Sequence, residues 1–241
     1  VLIQVIFFVP SFLLKTEKYY DLAGSLTYVI TISLAYFSVE NKTTIDSIIY
    51  IYVMIWASRL GIYLFRRVQK DGKDVRFEKA KTHFFWFLQY WMGQALWVSL
   101  TACAAIIAIL SPEEDTLPVL AMLGMALWIT GFTIESVSDY QKRVFRKKNN
   151  SSQSFIHTGL WARSRHPNYF GEITLWTGIA FIALNTLTGI EYITLISPVF
   201  VYILLTRMSG INLLERIADE RYGELEEYQL YKNNTPVLIP R

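Results

Sequence analysis

Seven apolar stretches divide this chain, near residues 1–14, 22–39, 45–65, 84–110, 117–138, 171–188 and 190–206. A helix needs about 20 predominantly apolar residues to cross a bilayer, and several of these runs reach that length. Hydrocarbon leaves no water to pair with backbone N–H and C=O groups, so such runs fold as helices. Composition agrees: 53% of the residues are hydrophobic, 18% are charged and the mean hydropathy is +0.30, too apolar for a soluble domain with a charged surface. The expected fold is therefore all-α and integral to the membrane, a seven-transmembrane-helix bundle. The segment 1–14 lacks the basic leader and small-residue cleavage site of a signal peptide and reads as the first of these helices. With only 12 Gly and 7 Pro there is no room for a flexible linker, so residues 1–241 read as a single transmembrane domain. Cys103, the one cysteine, lies in an apolar run and reads as a small hydrophobe.

The segments between the apolar runs differ sharply in charge. Lys15 and Lys18 follow the first run; Arg66, Arg67, Lys70, Lys73, Arg76, Lys79 and Lys81 follow the third. Lys142, Arg143, Arg146, Lys147, Lys148, Arg163 and Arg165 lie between the fifth and sixth. The stretches SPEEDT at 111–116 and TGIE at 188–191 carry no Lys or Arg. Alternation of basic and non-basic loops is the pattern of the positive-inside rule and supports seven crossings. It implies a multi-pass protein of the endoplasmic reticulum or a bacterial inner membrane, N-terminus outside and C-terminus cytoplasmic. The net charge of +3 thus conceals a basic cytoplasmic face, which anionic headgroups alone could also favour.

The most informative segment is TGLWARSRHPNYFGEITLW at 158–176. Arg163, Arg165 and His166 stand just ahead of Pro167, a residue suited to the first turn of a helix. Helix N-termini offer unpaired N–H groups and a partial positive charge, so cations gathered there make a site for an anion such as a pyrophosphate. Asn168 and Glu172 are four residues apart and share a helical face with Tyr169 close by. A carboxylate one turn into a spanning helix is costly unless it faces the bundle interior, which makes Glu172 a functional candidate; the alternative is an ion pair that only fixes packing. Upstream, ESVSDYQKRVFRKK at 135–148 places Glu135, Asp139, Lys142 or Arg143, and Arg146 along one side of a helix. There carboxylates could accept from ribose or adenine groups while cations meet phosphates. Arg59 lies within the third run, about 10 Å deep at 1.5 Å per residue, where it either snorkels to the surface or contacts a ligand. After the last run, Ile211, Leu214, Ala218, Tyr222 and Leu225 recur at helical spacing and predict an amphipathic C-terminal helix over the cytoplasmic face.

Other chemistries are missing from the sequence. His83, His157 and His166 are too scattered for a histidine-rich di-iron site, and there is no HExxH or CxxC arrangement, so no metal is expected. No GxGxxG, GxxxxGK[ST] or GxSxG motif occurs, so any nucleotide is held by a pocket that is not of the Rossmann type.

The segments LWARSRHPNYFGE at 160–172, ESVSDYQKRVFR at 135–146 and ERYGELEEYQLYKNNTPVLIP at 220–240 resemble the steroid 5-alpha-reductase C-terminal domain and its membrane relatives of the DUF1295 type. The resemblance covers roughly residues 50 to 240, with the signature region at about 117–240. It implies a seven-helix bundle whose cytosol-facing pocket binds NADPH, and hydride transfer to the beta-carbon of an enone. Carried over by motif, it places Asp139, Arg143 and Arg146 near the adenosine and phosphate end and Arg165 and His166 near the phosphates. Asn168, Tyr169 and Glu172 fall near the nicotinamide, and Glu215 matches a cofactor-lid acidic position. The steroid-holding Glu of the family's second span has no counterpart here, and Trp56 stands where the third span would carry a Tyr. Trp56, Arg59 and Tyr63 are the substrate-side candidates, with Asp21 or Tyr63 in the place of the acid, and the catalytic proton donor is unassigned.

The implied activity is an NADPH-dependent reductase in lipid metabolism, acting on a conjugated double bond of a hydrophobic, steroid-like or other lipid. The expected partners are the bilayer and a hydrophobic small molecule, with no nucleic acid. Two rivals stand beside it. Isoprenylcysteine carboxyl methyltransferases also set an RHPxY-type motif at a membrane helix start and bind S-adenosylmethionine, although the cations at 142–148 and 163–166 suit three phosphates better than a sulfonium. The other rival is a non-catalytic lipid-binding protein that kept the fold.

Overall fold

The computed structural model describes residues 1–71, 74, 77–111, 116–149, 154–208 and 210–241. Among these the chain is helical, with no strand. The α-helices are α1 (Leu2–Leu13), α2 (Tyr20–Ser38), α3 (Thr44–Asp71), α4 (Phe84–Leu110), α5 (Val119–Lys148), α6 (Pro167–Ala183), α7 (Ile196–Ile203), α8 (Ile211–Tyr222) and α9 (Glu226–Asn234). Four helical stretches are long and apolar enough to cross a membrane: Thr44–Lys70, Phe84–Leu110, Val119–Lys148 and Gly189–Tyr222. The expected first, second and sixth spans are helices too, of 12, 19 and 17 residues. At 1.5 Å per residue, α1 measures about 18 Å, short of a hydrocarbon core about 30 Å thick.

Several boundaries differ from those read off the apolar runs. Helix α3 continues past residue 65 to Asp71, so Arg66, Arg67 and Lys70 ride on its last turns instead of a loop. Long basic side chains are good helix formers, so polarity ends a membrane run without ending a helix. Lys73, Arg76 and most of the SPEEDT stretch lie outside the described residues. The sixth run starts four residues earlier than expected, at Pro167, and ends at Ala183, whose carbonyl accepts a hydrogen bond from Thr186 Oγ1. The seventh is a composite: a 3-10 stretch Gly189–Leu195, then α7, then a π-helical turn Leu204–Met208. The tail forms two helices where one was expected. Gly223 closes α8 and Leu225 takes an extended conformation before α9, as the poor helix propensity of glycine permits.

The chain packs as two compact units, Val1–Pro118 with Ala183–Leu195, and Val119–Ile182 with Ile196–Arg241. In the first, Phe8, Tyr20, Phe77, Phe87 and Trp91 form a buried aromatic core between α1, α2 and α4. Helices α2 and α3 approach closely where a Cβ on Gly61 would lie 2.5 Å from Ser25 Cβ. Buried polar groups are paired across helices: Gln4 Nε2 donates to Thr27 Oγ1 at 2.7 Å and Gln94 Nε2 to the Tyr20 carbonyl at 2.9 Å. Glu17, buried, accepts from Lys81 Nζ at 2.8 Å and from the Asp74 N–H at 2.9 Å, tying the loop after α1 to the segment before α4. Phe85, Trp86, Leu34 and Phe37 are exposed, as suits a surface whose solvent is lipid.

Candidate functional site

The second unit is organised by glycines on α5 and α6. A Cβ on Gly124 would lie 2.6 Å from the Gly178 carbonyl, and one on Gly131 would lie 2.5 Å from the Gly171 carbonyl. The contacts are reciprocal and seven residues apart on both helices, so one face of each is bare backbone against backbone. Small residues at such a seam are how membrane helices gain close packing. The seam runs directly into the signature region, because Gly171 also abuts the backbone of Glu135. It brings the buried carboxylates of Glu135 and Asp139 on α5 to the first turns of α6, where Asn168, Tyr169 and Glu172 are half-buried.

The connection from α5 to α6 is held by specific bonds. Gly159 turns the chain at φ +65° against the side chain of Gln141, whose Oε1 accepts the Leu160 N–H at 3.0 Å. Trp161 is buried, donates its indole N–H to the Ser138 carbonyl at 3.1 Å and accepts the Tyr231 hydroxyl on its own carbonyl at 2.7 Å. The Lys142 ammonium lies over the Trp161 ring, 4.5 Å from its centroid, a cation–π contact. The tail then straps the start of α6: the Arg165 N–H donates to the Pro236 carbonyl at 2.9 Å and the fully buried Ser164 hydroxyl to the Leu238 carbonyl at 2.8 Å.

Arg165 and His166, directly ahead of α6, converge on one carboxylate. Arg165 Nη1 lies 2.5 Å from Glu215 Oε2, and His166 Nε2 lies 2.8 Å from Glu215 Oε1. An ionised carboxylate only accepts, so the imidazole carries its proton on Nε2. Burial pushes the His166 imidazole below its ordinary range; the hydrogen bond and charge of Glu215 oppose this, and the positive charges of Lys142 and Arg165 add to it. His166 is therefore a neutral donor near pH 7. Tyr169 stacks on it, with ring centroids 5.7 Å apart and planes 18° apart, and the Tyr169 ring is backed by Gly210, where a Cβ would lie 2.8 Å from it. Arg165 Nε is buried with no hydrogen-bond partner among the described residues. A guanidinium with an unused buried N–H, a neutral histidine donor and a helix N-terminus together can hold an oxyanion.

The expected site residues divide accordingly. Asp139, Arg165, His166, Asn168, Tyr169, Glu172 and Glu215 fall in this one region of the second unit. Arg143 and Arg146 are on exposed turns of α5, Arg143 over the ring of exposed Tyr140 at 5.5 Å. Lys142, left open against Arg143 by helical spacing alone, is the one on the face of Ser138 and Asp139. Trp161, Ser164 and Tyr231 were missed, since their parts depend on backbone partners distant in sequence. Trp56, Arg59 and Tyr63 belong to α3 in the first unit. Trp56 is buried edge-on against Tyr28, with centroids 5.0 Å apart, and Arg59 and Tyr63 are half-buried. Asp21 lies 3.6 Å from Arg67.

Fold and site together define a helical membrane protein with paired cation and carboxylate chemistry at the start of one helix. The chain belongs to the family described as protein of unknown function DUF1295, whose model matches residues 7–235. It is 29% identical over 119 residues to the mouse 3-oxo-5-alpha-steroid 4-dehydrogenase 1, a match covering 49% of this chain and 41% of that protein. The rat protein of the same name matches at 29% over 119 residues and 40% of its length, and the human one at 37% over 59 residues, 24% of this chain and 23% of that protein. The matched region thus spans less than half the length of these relatives. No solved structure matches the chain.

Proposed function

We propose that this protein is a membrane-embedded, NADPH-dependent reductase that delivers hydride to a conjugated C=C of a hydrophobic lipid, an oxidoreductase acting on a CH–CH group. The observation that carries this reading is the convergence of Arg165 and His166 on a single carboxylate at the start of α6, together with the unused buried N–H of Arg165. These donors fit the phosphates of a dinucleotide. Arg165 and His166 would hold the phosphate end, with Lys142 on the inner face of α5 and Arg143 and Arg146 further out on it; Asp139 would meet the adenosine and Asn168, Tyr169 and Glu172 the nicotinamide, with Glu215 beside them on α8. The cofactor supplies a hydride when bound. The chain itself orients it: Tyr169 is fixed between His166 and Gly210, and the glycine seam sets α5 against α6. Trp56, Arg59 and Tyr63 are proposed to face the lipid substrate.

The likeness to steroid 4-dehydrogenases supports reduction, and the methyltransferase alternative draws no support from the similar proteins. We further propose seven crossings: α2 and α6 join the long apolar stretches, α1 crosses where the bilayer thins to meet it, and the last stretch crosses by α7 and the turns that flank it. The N-terminus lies outside, and α8 and α9 lie on the cytoplasmic face of an endoplasmic reticulum or bacterial inner membrane.

Equilibrium binding of NADPH, NADH and S-adenosylmethionine to the detergent-purified protein tests the proposal, with Arg165→Ala and Glu172→Ala as comparisons. Micromolar NADPH binding that both variants lose is the expected outcome. Binding of S-adenosylmethionine in its place would move the site to methyl transfer, and binding of none would leave a non-catalytic lipid-binding protein.

A further inference from the structure

Glu215 places a carboxylate between Arg165 and His166, the two donors expected to hold a phosphate. Its two oxygens are divided between Arg165 Nη1 at 2.5 Å and His166 Nε2 at 2.8 Å. A carboxylate spread over two donors presents the edge, the charge and the spacing that a phosphate presents to an Arg–His pair. The Arg165 side chain is 11% exposed and that of His166 7%, so without a counter-anion the guanidinium would be a largely buried, uncompensated charge. Glu215 itself is 20% exposed, the most accessible side chain of the three. The neighbouring cation, Lys142, is seated on Trp161 and lowers the proton affinity of His166.

We propose that Glu215 is an internal substitute for a ligand phosphate: it fills the Arg165–His166 pair in the free protein and is displaced when a phosphate-bearing ligand binds. The inference rests on reading this site as the one for cofactor phosphates, and it gives Glu215 a role opposite to that of a cofactor contact. As a competitor it lowers the fraction of protein ready to bind, which weakens apparent affinity in proportion. In exchange it keeps the Arg165 guanidinium paired between turnovers.

The two roles predict opposite signs. Inorganic pyrophosphate and NADPH are titrated by calorimetry into the purified full chain and into Glu215→Gln, Glu215→Asp and Arg216→Met. Arg216 neighbours Glu215 on α8 but is 70% exposed and lies 4.0 Å from Glu220, so it serves as the surface control. If the pair is closed about nine-tenths of the time, Glu215→Gln binds pyrophosphate about tenfold tighter and Arg216→Met binds as wild type. Glu215→Asp, a methylene too short to reach both donors, also gains affinity and covers the case in which the Gln variant fails to fold. Unchanged or weaker pyrophosphate binding in both Glu215 variants overturns the inference, as does the absence of pyrophosphate binding in every protein. Tighter pyrophosphate binding without NADPH binding would leave Glu215 as a phosphate substitute while sinking the reductase. Wild-type NADPH binding that Glu215→Gln weakens would do the reverse.

Discussion

Gly171 on α6 lies so close to α5 that a Cβ there would come within 2.6 Å of the backbone nitrogen of Glu135. The contact joins the helix carrying Asn168, Tyr169 and Glu172 to the one carrying Asp139 and Lys142, so the position of the site depends on a residue with no side chain. Gly131→Ala and Gly171→Ala should each force α5 and α6 apart and lower stability by about 1–3 kcal/mol, the usual cost of overpacking. Gly93→Ala is the comparison, because a Cβ at Gly93 meets nothing within 4 Å. It should leave the melting temperature in detergent unchanged or raise it slightly, as Ala is the better helix former. Equal melting temperatures for all three variants would refute the seam.

The depressed proton affinity of His166 predicts a pH dependence of stability. Its folded-state pKa lies below its unfolded value of about 6.5, so near that pH the unfolded chain binds more protons than the folded one. Stability therefore rises with pH through this window and is lost as pH falls below about 6.5. Melting curves of wild type and His166→Gln between about pH 5 and 8 should show the wild type losing more of its stability on the acid side. Parallel curves would exclude the effect.

Burial alone would raise the pKa of Glu17, but hydrogen bonds from Lys81 and the Asp74 N–H outweigh it and hold the carboxyl below its usual range. The pair thus contributes stability above the ordinary carboxylate pKa that is lost as pH falls through the lower folded value. Glu17→Leu should destabilise by about 2 kcal/mol, because it leaves a partly buried ammonium and an N–H without their acceptor. Adding Lys81→Met should restore part of the loss, and chemical unfolding of the single and double variants measures it. A double variant no better than Glu17→Leu would show that the pair is not coupled.

Lys142 and Arg143 are adjacent in sequence but face different surroundings, Lys142 over buried Trp161 and Arg143 over exposed Tyr140. Lys142→Met should weaken NADPH binding about tenfold, the loss of one charge-assisted contact, and by more than Arg143→Met does. The reverse order in a binding titration would place the phosphates on the outer side of α5.

Much of the fold was legible because the cost of putting polar groups in hydrocarbon is paid residue by residue along the chain. Apolar runs therefore marked the places of the helices, and Pro167, which lacks the N–H that a helix interior needs, marked the start of α6. The same local chemistry picked out Arg165, His166 and Glu172. Helix ends were less legible: Arg66 and Lys70 end an apolar run without breaking α3, whereas Gly223 breaks the tail inside an amphipathic pattern. The relations between distant residues come from the packing of the helices instead. Helical spacing could not choose between Lys142 and Arg143, because the choice depends on where Trp161 sits. No local pattern joins Glu215 to Arg165 and His166, fifty and forty-nine residues away. Local chemistry along the chain shows which groups are too costly to leave alone in a membrane. Which of them meet was decided by the close approach of glycine-lined helices and the return of the tail across the start of α6, since pairing energy depends on distances in space that the order of residues does not specify.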